Sequence, residues 1–281
     1  MSSTAPTISL EYFPPRTEKG AQGLAAARAE LKLLKPSYVS VTFGAGGSTQ
    51  DGTYATIKSI LEEDGVDAAP HISCISSSRR ELADMLEAYR DLGVKRLVAL
   101  RGDVPSGYGT MDAAELRYAN ELVAFIREQT GDHFRIEVAA YPETHPQARS
   151  AQDDLDNFKR KVDAGADSAI TQYFFNPDAY YAFMDSCSKL GLDIPVIPGI
   201  MPITNYKQLA RFSDTCGAEI PRWIRKRLEG YGDDLASIRE FGFDVVLGLC
   251  EKLLDGGAPG LHFYSMNRTE PTRALWKALD L

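Results

Sequence analysis

The sequence has little cysteine or histidine, and several familiar signatures are missing. Its four cysteines (Cys74, Cys187, Cys216 and Cys250) lie far apart with no CxxC pair. They read as reduced core or surface thiols, with no disulfide frame. Its four histidines show no HExxH or comparable spacing, so no dedicated metal centre is expected. No apolar run approaches membrane-spanning length. The opening MSSTAPTISL lacks the basic region and apolar core of a secretion signal. A cytoplasmic protein is the expectation. There is no GxSxG elbow, and no lysine falls near a predicted strand end to serve as a Schiff-base nucleophile. Basic residues are the minority, 31 Lys plus Arg against 39 Asp plus Glu, giving a net charge of −8. Such a chain has no general electrostatic footprint for nucleic acid, although a local basic pocket for a phosphorylated ligand stays open.

What is present is an alternation of short β-rich runs and longer helical patterns over 281 residues, of which 44% are hydrophobic. The predicted strands are 8–13, 38–43, 69–74, 96–100, 135–141, 168–174, 195–200 and 260–265. They read as nearly continuous apolar runs, as parallel strands covered by helices do. Helical patterns fall at 23–34, 79–92 (behind a capping serine run), 113–128, 152–164, 177–190 and 206–215. The first seven strands start roughly 30 residues apart, the rhythm of repeated β/α units. A helical insert at about 221–254 precedes the last strand, and no linker marks a boundary. The expected fold is a single α/β domain over 1–281, a (β/α)8 TIM barrel with extra helices before strand 8. Phe13-Pro14-Pro15-Arg16 stands where a Rossmann unit would carry GxGxxG.

A barrel of this kind keeps its site at the C-terminal ends of its strands. Glu11 stands there on strand 1, flanked by the apolar Leu10, Tyr12 and Phe13, as a candidate general acid or a structural ion pair. Strand 2 ends at Thr42 and a glycine turn, 44–47, a weak phosphate-cradle signal. His71 on strand 3 and His262 on strand 8 read individually as core histidines. Strand 4 runs into Arg101-Gly102-Asp103, where Asp103 is either a turn cap or a functional carboxylate. Strand 5 ends at Tyr141 and His145, strand 6 at Gln172, and strand 8 leads to Arg268. Tyr173, Phe174 and Phe175 suit core packing or stacking on a planar ring. On the following helix Asp154, Asn157, Arg160 and Lys161 fall along one side. That is either a dipole-matched solvated face or a stripe for a ribose and pyrophosphate.

Taken in order, eight segments carry a resemblance. They are SLEYFPPR from Ser9, VTFGAG from Val41, Pro70-His71, LRGD from Leu100, AYPETH from Ala140, ITQYFF from Ile170, PGIMP from Pro198 and HFYSMNR from His262. In this order and spacing the chain resembles the methylenetetrahydrofolate reductase family from about residue 8 to 279. The resemblance implies a barrel that binds FAD noncovalently and reduces 5,10-methylenetetrahydrofolate to 5-methyltetrahydrofolate with NADH or NADPH by a ping-pong mechanism. It implies Glu11 as catalytic acid, Asp103 as the carboxylate beside flavin and folate, and Gln172 as a contact to either substrate. Gln208, Phe212 and Arg268 are further implied folate contacts. FAD contacts are implied for Thr42, His71, Leu100, Arg101, Gly102, Asp103, Tyr118, Ala119, Tyr141, His145, Asp154, Asn157, Arg160 and Lys161. Tyr12 and Tyr173 replace a common phenylalanine, and Phe43 replaces a common tyrosine or tryptophan. The match implies the catalytic barrel alone, without the regulatory domain and adenosylmethionine inhibition of longer members. The expected partners are small-molecule substrates and further copies of the chain, with no nucleic acid and no membrane. The residues also admit a cofactor-free lyase using Glu11 and His71, a flavin- or folate-binding protein without turnover, and a reductase of a modified folate-like carrier.

Overall fold

A computed structural model of the chain describes residues 6–43, 47–75, 77–102 and 115–281, with backbone alone for 47–50. Its strands are β1 (Thr7–Tyr12), β2 (Tyr38–Val41), β3 (Ala68–Ser73), β4 (Arg96–Leu100), β5 (Arg135–Ala140), β6 (Ser168–Thr171), β7 (Val196–Ile197), β8 (Gly199–Ile200) and β9 (Gly260–Tyr264). All pairings are parallel, in the order β7-β6-β5-β4-β3-β2-β1-β9-β8. The two ends of that order, β7 and β8, are halves of one run interrupted at Pro198. β7 pairs with β6 and β8 with β9, so eight runs close a barrel, as expected from the sequence. Proline has no N–H to give to a ladder, but its carbonyl accepts from His262 N at 2.9 Å. Next to it, Gly199 N donates to the Thr171 hydroxyl at 2.9 Å.

The helices are α1 (Glu18–Leu31), α2 (Gly47–Ser59), α3 (Arg79–Asp91), α4 (Ala119–Thr130), α5 (Ala151–Asp163), α6 (Pro177–Lys189), α7 (Tyr206–Cys216), α8 (Arg222–Tyr231), α9 (Leu235–Asp255) and α10 (Thr272–Ala278). The serine run caps α3 as read from the sequence: Ser78 accepts from Glu81 N, and the Glu81 carboxylate returns to Ser78 N. This reciprocal arrangement satisfies two otherwise orphan donors. The insert before the last strand is the pair α8 and α9. Some elements differ from the reading. Within the described part of the pattern at 113–128, from 115 on, the helix begins at Ala119, and Leu116 is buried as coil. The sixth strand stops at Thr171, so Tyr173, Phe174 and Phe175 are buried beyond its end. Helices α2 and α10 fall in segments where no helix is predicted, 47–59 lying just behind the glycine turn.

The strands alternate more than their apolar composition suggests. Ile8, Leu10, Tyr12, Val39, Val41, Ile72, Leu97, Ile136, Val138, Leu261 and Phe263 face the helices and form the main core. The opposite faces carry Ser9, Glu11, Tyr38, Ser40, His71, Glu137, Ser168, His262 and Tyr264, with a small apolar cluster of Tyr38, Ala69, Val98 and Ile170. These residues meet across the lumen. Near the N-terminal ends of the strands, Glu137 is buried and pairs with Arg96, whose guanidinium lies 4.2 Å from the Tyr38 ring centroid. Removing one partner of such a pair leaves a buried charge and typically costs about 3–5 kcal/mol. The polar filling therefore helps to fix the register of β4 on β5.

Gly199 shows how tight the closure is. A Cβ built there lies 2.2 Å from Thr171 O and 2.8 Å from the Tyr264 ring, and backbone cannot swing aside. Gly199→Ala is expected to cost at least about 2 kcal/mol, the range of overpacking, lowering Tm by several degrees. Thermal and urea unfolding check this, and an unchanged midpoint would show that the barrel seam has slack.

Candidate active site

Three strands bring one carboxylate and two imidazoles together inside the barrel. Glu11 on β1 lies 3.3 Å from His71 Nε2 on β3 and 3.7 Å from His262 Nε2 on β9, measured at Oε2. Its side chain is 20% exposed, against 9% and 0% for the two histidines, so the cluster opens to solvent through the carboxylate. This corrects the apolar setting read from the sequence. Leu10 and Tyr12 belong to the helix-facing side, Phe13 is exposed, and the actual neighbours of Glu11 are imidazoles. Ser9, two residues back on the same face, lies 2.7 Å from His262 Nδ1. A carboxylate near Nε2 favours the tautomer with its proton there, which leaves Nδ1 to accept from the Ser9 hydroxyl. Burial pushes the His71 imidazole below its ordinary value, opposed by Glu11 and assisted by His262. His71 is thus neutral at pH 7. Neither Nε2 atom makes a hydrogen bond of good geometry within the chain.

The rim is tied down around this cluster. Ser265 donates to Glu11 O at 2.6 Å, and Asn267 brackets Phe13, accepting from its N–H at 3.0 Å and donating to its carbonyl at 2.9 Å. Met266 and Asn267 adopt left-handed backbone to make this turn, a conformation Asn tolerates. Tyr264 donates to Thr171 O at 2.7 Å, and burial holds its phenol well above the ordinary range. Gln172 N continues the ladder to Ala140 O at 2.8 Å. Tyr173, one residue on, meets Ser213 of α7 at 3.0 Å. That contact seats α7 beside the end of β6 and so brings Gln172 near the helix carrying Gln208 and Phe212. Gln208 is exposed, Phe212 half-buried, and Arg268 exposed in the turn after β9.

A second group gathers at the ends of β4 and β5. Gly102 has φ of 87° and a Cβ there would lie 1.9 Å from Ser73 Oγ, so only glycine fits. Ser73 donates to Arg101 O at 2.9 Å, and the Arg101 guanidinium bonds Gln147. Leu100 ends β4. Tyr141 and His145 stack edge to face at 4.5 Å, and Asp154 of α5 accepts from His145 N at 2.7 Å. Asn157 accepts from Arg160, and Lys161 reaches back to Ala139 O at 2.5 Å. The α5 stripe therefore turns towards the strand ends. Thr42 joins the ladder after β2 through Tyr12 O at 2.9 Å. Tyr118 is the exposed residue before α4 and Ala119 opens it. Asp103, most of the glycine turn at 44–46 and the loop 103–114 lie outside the described residues.

Burial lowers the Lys161 ammonium to about 8, although Asp154 opposes the shift. A half-buried cation disfavoured in this way, beside a glycine-only turn and a cationic Arg101, suits an anion brought by a ligand. These observations fit an extended phosphate-bearing cofactor. No group of His, Cys, Asp and Glu able to hold a metal is found among the described residues, nor any helix long and apolar enough to cross a membrane. Ser9, Gln147 and the lumen role of Tyr264 were missed by sequence reasoning. The period-two pairs Ser9/Glu11 and His262/Tyr264 were the available signal.

Comparison with known proteins places these residues in context. The family model described as methylenetetrahydrofolate reductase matches residues 1–280. The chain is 42% identical over 274 residues to the 5,10-methylenetetrahydrofolate reductases of Salmonella typhimurium and Escherichia coli, covering 98% of this chain and 90% of theirs. It is 36% identical to methylenetetrahydrofolate reductase (NADH) 1 of Zea mays, covering 92% of this chain but 46% of that one. Among solved structures, a Clostridium thermocellum protein that binds two copies of 5-methyl-5,6,7,8-tetrahydrofolic acid matches with a TM-score of 0.65 at 17% identity, covering 98% and 94% of the two chains. At that identity the likeness establishes the barrel fold alone.

The lowered Lys161 has a testable signature. Its unfolded form binds a proton up to about pH 10.5 and its folded form only to about 8. Between those values the unfolded state holds more protons, so stability must rise with pH. The ligand-free protein is expected to gain stability relative to Lys161→Met from pH 8 to 10. Urea midpoints at several pH values measure this, and parallel curves would give Lys161 an ordinary ammonium.

Proposed function

The chain belongs to the methylenetetrahydrofolate reductase family, an oxidoreductase family, and from that premise we propose that its strand-end cluster reduces 5,10-methylenetetrahydrofolate with FAD and a nicotinamide donor. The observation that carries the reading is Glu11, placed between His71 and His262 at 3.3 and 3.7 Å at the mouth of the barrel. Overall, the substrate gains a hydride at its methylene carbon and a proton at N10, and the bond from N10 to that carbon breaks. Bound FAD would supply the redox chemistry, taking hydride from NADH or NADPH in one half-reaction and delivering it to the folate in the other.

The chain's own residues have to bind, orient and move the proton. Glu11 is the one carboxylate of the described lumen cluster that reaches solvent, and it holds the proton delivered to N10. The family reading adds Asp103 beside the cofactor and the folate. His262, fixed by Ser9, and His71 flank the Glu11 carboxyl and orient it. Gln172, Gln208, Phe212 and Arg268 border the place for the folate. Gly102 allows backbone to approach the cofactor. Thr42, His71, Leu100, Arg101, Asp103, Tyr118, Ala119, Tyr141, His145, Asp154, Asn157, Arg160 and Lys161 would hold it, with Arg101, Arg160 and Lys161 as cations for its phosphates. The same mouth serves donor and folate in turn, which is a ping-pong order. The protein would act in the cytoplasm, in one-carbon metabolism and methionine supply, as a homo-oligomer.

Two outcomes follow. The purified protein carries a yellow pigment that acid releases and chromatography identifies as FAD; FMN, or no pigment after reconstitution, sinks the cofactor assignment. Glu11→Gln retains the pigment and is reduced by the nicotinamide donor within several-fold of the parent rate, because that transfer needs no acid. Its reaction with methylenetetrahydrofolate falls by about 10²–10⁴-fold, the usual weight of a general acid. Stopped-flow measurement of the two half-reactions separates these rates, and equal losses in both would make Glu11 a structural residue.

A further inference from the structure

The turn that follows β5 serves both halves of the site. It runs Tyr141-Pro142-Glu143-Thr144-His145-Pro146-Gln147. Thr144, in its middle, has φ of 78°. A β-branched residue in the left-handed region is a backbone outlier. Such strain persists only where neighbouring contacts over-determine it, and it gathers at functional sites. Here the contacts lie on either side of Thr144. Towards the cofactor half, His145 packs on Tyr141, Asp154 accepts from His145 N, and Gln147 accepts from Arg101. Towards α7, the half-buried Glu143 carboxylate accepts from Glu219 N at 2.8 Å.

Glu219 stands in the link 217–221 between α7 and α8, and the end of α7 meets the same turn. Gly217 closes the helix with φ of 77°, and a Cβ there would lie 3.2 Å from Pro146 Cδ. Ala218 and Ile220, on each side of Glu219, are buried. One turn back along α7, Ser213 meets Tyr173 at 3.0 Å. The first turn of α7 makes surface pairs instead, Tyr206 with Glu229 and Lys207 with Asp233, of a kind that contributes little. The C-terminal half of α7, with Phe212 in it, is therefore registered on the barrel through β6 and the turn after β5. Burial pushes the Glu143 carboxyl up, and the Glu219 N–H opposes the shift. An acceptor that has given up part of its water depends on the donor it has found.

We propose that Glu143 is a positioning residue for the folate: it fixes the C-terminal end of α7 to the turn after β5 and so sets how closely Phe212 and Gln208 approach the substrate. This rests on the reading that Gln208 and Phe212 border the folate. Glu143 acts through the backbone of the α7–α8 link and takes no part in the proton or hydride chemistry. Because His145 and Gln147 leave the other side of the same turn, the cofactor half and the folate half share one point of reference, and the strained Thr144 is what lets a single turn face both.

The test pairs amide hydrogen exchange over 206–221 with steady-state kinetics on methylenetetrahydrofolate. Glu143→Ala is expected to speed exchange in the C-terminal half of α7 by about tenfold or more. It raises KM for the folate by about tenfold and changes kcat by less than about threefold, the pattern of lost binding geometry. Glu143→Gln keeps an acceptor oxygen for Glu219 N, and both quantities stay within about twofold of the parent. If Glu143→Ala does not fold, Glu143→Asp, one methylene short of the link, gives the same comparison with smaller changes. Exchange and KM unmoved by the alanine or aspartate variant, or moved equally by the glutamine variant, overturn the proposal. Faster exchange with an unmoved KM overturns it too, and leaves Glu143 a structural anchor. A parent that cannot turn over methylenetetrahydrofolate at all would overturn the reading of the site, and the positioning role with it, whatever the exchange shows.

Discussion

Closing the barrel is the constraint on which the rest depends. The run 196–200 has to bond β6 on one side and β9 on the other, and a proline stands in its middle. The Pro198 carbonyl and the Thr171 hydroxyl supply the bonds that an unbroken ladder would have made. Once closed, the lumen must be filled, and here it is filled by polar groups. An unpaired buried polar group costs more than a lost contact. Several strands are therefore held in register by inward side chains: Arg96 with Glu137 near one end, Ser9 with His262 and Glu11 beside His71 near the other. The chemistry of the mouth continues the structural filling of the barrel.

This explains what could be read from the sequence. Strand count, most of the helices and the insert before the last strand were legible because each β/α unit repeats at a regular spacing and buries one apolar face. The alternation within strands was harder to see. Outward residues such as Leu10 and Phe263 dominate the composition, and inward serine or tyrosine does not break an apolar run convincingly. The split at Pro198 was hidden because 195–200 is extended throughout. Glu11 and His71 were legible as strand-end residues, but their meeting across β2 is a property of closure, which no local pattern records. The same holds for Ser213, which reaches Tyr173 only through the packing of α7.

The two halves of the candidate site differ in electrical character. Around Glu11 stand two buried imidazoles, and a single carboxylate faces solvent. At the ends of β4 and β5 the balance is cationic, with Arg101 and Lys161 near a backbone turn that only glycine can make. One end suits the movement of a proton, and the other suits the holding of an anion. Separating them lets each be built from different strands without one charge cancelling the other.

The seam between β1 and β9 has a further meaning for how the molecule comes into being. Ser9 waits for His262, Glu11 for Ser265, and Phe13 for Asn267, contacts spanning some 250 residues of chain. Contacts of such high sequence separation are slow to form, because the closure entropy must be met before they return anything. During synthesis the edge of the first strand that pairs with β9 stays open until β9 is made. The seam that sets His262 beside Glu11 is thus the final part of the barrel to be assembled. A nascent chain has most of its α/β layers before this seam can close.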